Sequence, residues 1–578
     1  MGIGAAFQIG RSALAASQLG VQVASNNLAN AATPGYTRQS LGLEPLAGDA
    51  STQQGQIGNG VRFSGVRRQI DPALEARLNS SISNAASADE VLRAFAGLET
   101  IFNELTDLDL SSEMGNFFTG WSELANGTQA QAQVVEQGEL LAGFIQRLRG
   151  EMSSQRNELN SRLGSLTKDA NEKLDQIARL NEQITASEGG GAQNNPLRDQ
   201  RDQLVRELSE IMDINTIEQA SGAIDVLVGS TPVVLGANNQ GVELRDVPRG
   251  DRIESQVTIS STGQVLDVSG GKIGGVIESR DNTVDDTIAQ LDELASQLIF
   301  EVNKLHSTGA TAQGLNSAQS QLQISASDQA VSLNSPLNTS IAELPFQPIN
   351  GGFVVRTVDA GSGAVTTTRI DIDLDGIDAT GQPGFTDDTT IIDIASDIDA
   401  IQGLTAAVTG DGRLSIQAQP GTSFTFGEDS SGVLAVLGVN SYFSGTDATD
   451  IAVSDQLAEN PLKLMTGRYE NDTFLENGTS LSIAELQDTG LDAFQGQNVG
   501  AFWRTAVQQL SVKTGSARVL SESASLVRDS VESQRLALSG VDTDEEAINL
   551  LQFQRAYSGA ARIIQTTNEM LDTLINLI

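Results

Sequence analysis

Apolar residues recur in steps of three and four at both ends of the chain, and the two repeats use residues of different size. Between Thr543 and Ile578, the residues Phe553, Ala556, Ala560, Ile563, Thr567, Met570, Leu574 and Leu577 keep this spacing. Tyr557, Ile564 and Leu571 widen the seam on one flank. Such spacing collects side chains on one side of an α-helix, as at the a and d positions of a coiled coil. At the other end Phe7, Leu14, Val21 and Leu28 recur every seven residues, with Gly10, Ser17, Ala24 and Ala31 three positions after each. Large and small residues thus alternate along a narrow seam, which permits close helix approach. Arg11 is the one charged side chain between Met1 and Tyr36, and the polar face is Gln8, Ser12, Gln18, Gln22, Ser25 and Asn26. These groups hydrogen-bond in a crowded assembly without the cost of burying a charge. Thr33, Pro34 and Gly35 end the helix, because proline cannot continue it and glycine permits the turn.

The two repeats predict terminal helices packed on each other, with a stripe too wide for one partner to cover. Further copies of the chain are expected to cover the rest. A helix of this length is marginal alone, so the ends are expected to be frayed in the monomer and ordered on polymerisation. The plainer alternative is an ordinary helix pair closing a globular domain.

Between the ends the pattern changes several times. Residues 37–71 are mixed and glycine-bearing, an extended connector with short alternating stretches such as Val61, Phe63 and Val66. Helical periodicity runs with breaks from Pro72 to about residue 188, where Gly189, Gly190 and Gly191 stop it. Asn195 and Pro196 open a further helix striped by Leu197, Leu204, Leu208 and Ile211. Ile224, Val226 and Val228 alternate as a strand does, and a helix carrying Ile288, Leu291, Leu294, Leu298 and Val302 ends near Gly309. Residues 320–470 predict a β-rich insertion with strands at 353–358, 367–374, 405–408 and 413–418, a hairpin turn at Gly410–Gly412 and a short helix at 391–401. Helical periodicity resumes at about Asn498 and breaks at Ser539 and Gly540.

The predicted fold class is multidomain α+β, with long terminal helices forming a coiled-coil stalk, a helical bundle as middle layer, and β-rich outer domains inserted between. The expected segments are 1–36 and 541–578 for the terminal helices, 37–215, 275–319 and 471–540 for an α-rich body, 216–274 for a β-rich segment, and 320–470 for an outward-facing β-rich insertion.

Charge and composition narrow the functions. A formal net charge of -39 leaves nothing basic enough to neutralise a phosphate backbone, so nucleic acid is not an expected partner. Without cysteine there is no disulfide, thiolate nucleophile or zinc–thiolate site. No apolar run approaches the roughly 18 residues a membrane span needs, and no basic leader with an apolar core is present, so any secretion needs another route. A membrane-surface role for residues 3–31 is disfavoured by a polar face with almost no Lys or Arg.

Catalytic constellations are not found, and no cofactor or enzymatic activity is expected. His306, the one histidine, lies at the end of a predicted helix, where capping or packing is the ordinary role. Asp371, Asp373, Asp375 and Gly376 match the opening of a calcium-binding EF-hand loop, but the twelfth position is Gln382 where a glutamate is required. Alternation with Ile370, Ile372 and Leu374 fits an edge strand better, so no metal is assigned. The glycines from 270 to 275 lack the lysine and spacing of a phosphate-binding loop and read as turns.

The segment Ala13–Tyr36, with Ser25-Asn26-Asn27-Leu28-Ala29-Asn30 and Thr33-Pro34-Gly35-Tyr36, resembles the signature of bacterial flagellar rod, hook and hook-associated axial proteins. The C-terminal SGVDTDEEAINLLQFQRAY and TTNEMLDTL, and the interior Asp199–Leu204 followed by a strand pair, are more similar to the hook-associated protein 1 family than to the hook protein. That resemblance implies a non-enzymatic junction subunit, exported without a cleaved signal and placed between hook and filament. Its neighbours would be the hook protein and hook-associated protein 3, besides further copies of itself. It also implies terminal helices lining an inner tube, with Phe7, Leu14, Val21, Leu28, Phe553, Tyr557, Ile563, Ile564, Met570, Leu571 and Leu574 at the assembly interface. An export chaperone would contact Leu550, Phe553, Tyr557, Ile564 and Leu571. The alternatives are another flagellar axial protein, or an adhesin carried by residues 320–470.

Overall fold

The computed structural model describes residues 3–47, 58–102, 109–249, 252–470 and 473–576. Leu577 and part of the 37–71 connector lie outside the described residues. The chain is predominantly helical with several small sheets. Its contacts divide it into two units, one of residues 1–94, 158–280 and 515–578, the other of residues 95–157 and 281–514.

The first unit holds both chain ends. An N-helix (Ile3–Ala29) and a C-helix (Thr543–Ile575) pack along each other. Asp542 caps the C-helix by accepting from the amides of Asp544 and Glu545, and the acidic first turn of Asp544, Glu545 and Glu546 suits the positive end of the helix dipole. The 37–71 segment, read from sequence as a connector, is an antiparallel hairpin of Gln39–Pro45 and Val61–Arg68 with a bulge at Gly42/Leu43. Its alternation was too short and glycine-broken to show the pairing.

The body of this unit includes the part of the long helix Gln131–Glu188 from residue 158 onward, where Leu163, Ala170, Leu174, Ile177 and Ile184 are buried as their spacing predicts. Asn181, also fully buried, joins it to a four-stranded antiparallel sheet in which Ile224–Val228 is flanked by Asn215–Glu218 and Thr231–Leu235. Its Nδ2 donates to the carbonyls of Ile224 (2.7 Å) and Gly236 (2.6 Å), and its Oδ1 accepts from the Ile224 amide at 3.1 Å. Helix Asn195–Ile211, capped by Asn194 with proline in its first turn, differs from the sequence reading. Leu197 and Leu204 are only half-buried, whereas Arg198, Asp199 and Arg201 are buried. Leu208 and Ile211 are buried as the stripe predicts, while paired charges fill its first part: Arg198 holds Glu188 through two bonds of 2.8 Å and Glu218 through one of 2.7 Å.

In the second unit an aromatic cluster forms the centre. Phe117, Trp121, Tyr442 and Phe443 are each at most 1% exposed and stack edgewise or tilted on one another. The Tyr442 hydroxyl donates to the Val134 carbonyl at 2.8 Å, directly beside Gly138, where any side chain would overlap it. Residues 320–470 therefore belong to the same contact unit as residues 95–157, which the sequence boundaries treat as part of a separate body. Two three-stranded antiparallel sheets supply most of the β content there: Gly351–Asp359 between Val365–Ile372 and Thr422–Gly427, and Leu414–Ala418 between Leu404–Val408 and Ser317–Gln319. A capping box of Thr390 and Asp393 starts the short helix Ile391–Asp399.

Candidate assembly interface

Gly10 of the N-helix lies against Ile563 and Ile564, Gly20 against Phe553, and Asn27 against Glu546. Residue numbers rise on one helix as they fall on the other, so the pair is antiparallel. The seam uses the small half of the N-terminal repeat: Gly10, Ala16, Ser17, Gly20, Ala24 and Asn27 are buried. On the C-helix Glu546, Ala560 and Thr567 are buried, with Phe553, Ile564 and Leu571 half-buried beside them. A methyl on Gly10 would stand 3.0 Å from Ile564 Cγ1, and one on Gly20 would overlap the Phe553 ring. Close approach of the helices depends on the missing Cβ atoms at these two positions.

The large residues of the N-terminal repeat and several of the C-terminal one are left outside or only half-covered. Leu14 and Val21 are half-buried, and Phe7 (36%) and Leu28 (40%) are exposed. Tyr557 (40%), Ile563 (46%), Met570 (55%) and Leu574 (49%) are exposed too. The intramolecular seam thus takes the 553/560/567 line with the 564/571 flank, and leaves 563, 570 and 574 uncovered. Of the residues expected to meet a chaperone, Leu550, Phe553, Ile564 and Leu571 are half-buried, and only Tyr557 is exposed. Sequence reading missed a further surface in the same unit: Val519, Leu520, Leu526 and Val527 of helix Val499–Ser539 are all more than half exposed.

A polar clamp fixes the end of the seam nearest Tyr36. Asn27 Nδ2 donates to the Gln39 carbonyl (2.9 Å) and to Glu546 Oε2 (3.1 Å), while its Oδ1 accepts from the Gln39 amide (3.0 Å) and the Tyr36 hydroxyl (2.8 Å). Gly35, at φ +78°, turns the chain so that Tyr36 can reach back. Arg38 then bonds Glu546 and Glu545, each at 2.8 Å, and its amide donates to the Ser539 carbonyl at 2.9 Å. Burial opposes the Arg38 charge, but the bond to Glu545 and the field of Glu546 outweigh it and raise its pKa. Tyr36 is pushed up to about 12, first by burial and then by Asp199 and Glu546, so its hydroxyl keeps its proton for Asn27. Below the clamp, Arg68 bridges Asp199 (3.0 Å) and Asp202 (2.6 Å), and Asp199 accepts from the Thr37 amide at 3.3 Å. The Ser-Asn-Asn-Leu and Thr-Pro-Gly-Tyr motifs are therefore the two halves of one hydrogen-bonded corner.

Neither candidate for chemistry behaves as a catalytic group. His306 is 1% exposed, with Nε2 accepting from the Met465 amide (3.1 Å) and Nδ1 facing the Asn440 carbonyl (2.8 Å). Both ring nitrogens are committed to backbone. Asp371 closes the strand Val365–Ile372 and is held by Arg369 at 2.7 Å.

Residues 95–321 match the flagellar hook-associated protein FlgK helical domain, residues 7–37 the flagella basal body rod protein family, and residues 532–577 the flagellar basal body rod FlgEFG protein C-terminal family. The chain is 24% identical to flagellar hook-associated protein 1 of Escherichia coli, across 98% of each chain, and 27% identical to that of Salmonella typhimurium, again across 98% of each. The Bacillus subtilis protein of the same name is 24% identical, over 99% of this chain and 97% of its own. Among solved structures, the flagellar hook junction protein FlgK from Burkholderia pseudomallei aligns with 79% of this chain and 99% of its own, at 15% identity and a TM-score of 0.47.

Proposed function

We infer that this chain, a member of the flagellar hook-associated protein 1 family, works as a structural axial subunit of the bacterial flagellum at the hook–filament junction. It polymerises through its terminal helices, and its presence there is needed for the filament to assemble. One observation carries the mechanism: the N-helix buries its small residues, the C-helix its 553/560/567 line and 564/571 flank, and Phe7, Leu28, Tyr557, Ile563, Met570 and Leu574 stay exposed. Exposed apolar residues in line on a helix are an association surface.

In this reading the helix pair lines an inner tube as a coiled-coil stalk, the α-rich body forms the next layer, and the β-rich residues 320–470 face outward. The neighbours are copies of the same chain, the hook protein on one side and hook-associated protein 3 on the other. Export proceeds without a cleaved signal, with the helices still apart. A chaperone would then reach Leu550, Phe553, Tyr557, Ile564 and Leu571, of which all but Tyr557 are half-buried once the pair has formed. The subunit's role is mechanical, and no catalytic step is required.

The test separates the two faces of the C-helix. Met570→Asp with Leu574→Asp should leave the monomer's circular dichroism unchanged and abolish incorporation at the hook tip, with loss of swimming. Normal incorporation of that folded double variant rejects the assignment.

A further inference from the structure

We propose that Asp373, Asp375 and Asp388 form a divalent-cation site, of calcium-like oxygen chemistry, in the β-rich part of the second unit. Each of these residues offers a carboxylate oxygen, and the three oxygens lie within 4.8 Å of one another. Oxygens on opposite sides of a calcium ion, at about 2.4 Å from it, are separated by about this distance. The chain positions them by backbone pairing: the Thr389 amide donates to the Asp373 carbonyl (2.8 Å), and the Asp373 amide donates to Thr389 Oγ1 (2.8 Å). Strand Val365–Ile372 therefore runs out beside the segment that leads into helix Ile391–Asp399.

Acidic residues on a protein this acidic gather by chance, so proximity alone would mean little. The second observation is Asp388. It is 2% exposed, Asn334 Nδ2 donates to its Oδ2 at 2.6 Å, and its Oδ1 is buried with no hydrogen-bond partner. Asn334 Oδ1, on the neighbouring side chain, is likewise a buried acceptor with nothing to accept from. A buried carboxylate oxygen without a donor carries a large desolvation cost. Here it stands beside two further carboxylates, and no Lys or Arg is paired with any of the three among the described residues. Asp375 Oδ1 accepts from the Ile377 amide at 2.8 Å, which leaves the buried Asp388 Oδ1 as the surplus acceptor. Such an oxygen beside two further carboxylates is what a hard cation satisfies, with water completing its shell.

This arrangement is not an EF-hand, because Asp388 comes from beyond the loop and Asp371 is engaged by Arg369. Two of the three carboxylates are exposed, so the affinity expected is that of an open extracellular site, with Kd of about 0.1–1 mM.

Isothermal titration of the full-length protein with CaCl2 tests the proposal, alongside hydrogen exchange with and without 5 mM Ca2+. The expected result is one site of that affinity, with slowed exchange confined to residues 373–390. Asp375→Asn, an exposed position that does not threaten folding, should raise Kd at least about tenfold, and Asp388→Asn should do the same. Titration without a saturable site, unchanged affinity in Asp375→Asn, or protection spread over the whole acidic surface would each overturn the proposal.

Discussion

His306 shows how one buried side chain ties a whole unit to pH. The Met465 amide must donate to Nε2, so the ring proton sits on Nδ1 facing the Asn440 carbonyl, and the imidazole is neutral. Burial lowers its pKa to about 4, against the opposing pull of that carbonyl. An unfolded chain takes up a proton near the ordinary value of 6.5, whereas the folded one refuses it until about 4. Stability from this residue is therefore full above pH 6.5 and falls as pH drops towards 4, by about 3 kcal/mol in all. Trp121 and Trp503, the two tryptophans, both lie in this unit, so intrinsic fluorescence follows its unfolding. The urea midpoint should fall between pH 7 and pH 5, and His306→Gln should flatten that fall. A midpoint equally pH-dependent in both proteins would remove His306 as its source.

At the scale of elements, the terminal pair is joined by a thin seam with a strong corner at one end. Overfilling the seam at Gly20 should separate the helices while sparing the clamp residues themselves. Gly20→Leu places a side chain in the Phe553 ring and should cost about 1–3 kcal/mol. In dilute monomer, hydrogen exchange is expected to be slowest over residues 20–29 and 546–556, near the Asn27–Glu546 contact, and faster towards Phe7 and Leu574. The variant should lose that protected stretch, and Phe553→Ala should restore part of it; unaltered exchange in Gly20→Leu would contradict the seam. How much of this was legible in the sequence depends on the kind of interaction. Periodicity located the helices, because spacing of three and four is a local property. It did not say which flank faced inward, since Ile563 and Ile564 are adjacent, equally apolar and both in reach of Gly10, and only their different burial in the folded pair separates them. The clamp was hidden for a related reason. Asn27, Arg38 and Glu546 are separated by up to 519 positions, and no local pattern marks a hydrogen bond of that range. Short strands and the short helix Ile391–Asp399 were visible because alternation and local apolar spacing lie within a few residues.

For the molecule as a whole, the problem is to attach to neighbours while carrying 74 acidic residues against 35 basic ones. The N-helix has Arg11 as its one charge, and the acidic first turn of the C-helix is largely answered by Arg38. Beyond that turn the exposed charges of the C-helix balance, Arg555 and Arg562 against Glu569 and Asp572, and the excess negative charge sits elsewhere on the chain. Apolar contact is little affected by moderate salt, whereas repulsion between exposed like charges is screened beyond about 10 Å at 0.1 M ionic strength and about 3 Å at 1 M. Raising NaCl from 20 to 300 mM should therefore strengthen attachment of purified subunit to isolated hook–basal bodies severalfold, scored by labelled protein at the hook tip. Attachment that weakens with salt would mean that complementary ion pairs between subunits, and not the apolar stripes, hold the junction. The same experiment on Met570→Asp with Leu574→Asp separates the two forces: with the stripe broken, screening has no attraction left to reveal, and salt should restore nothing.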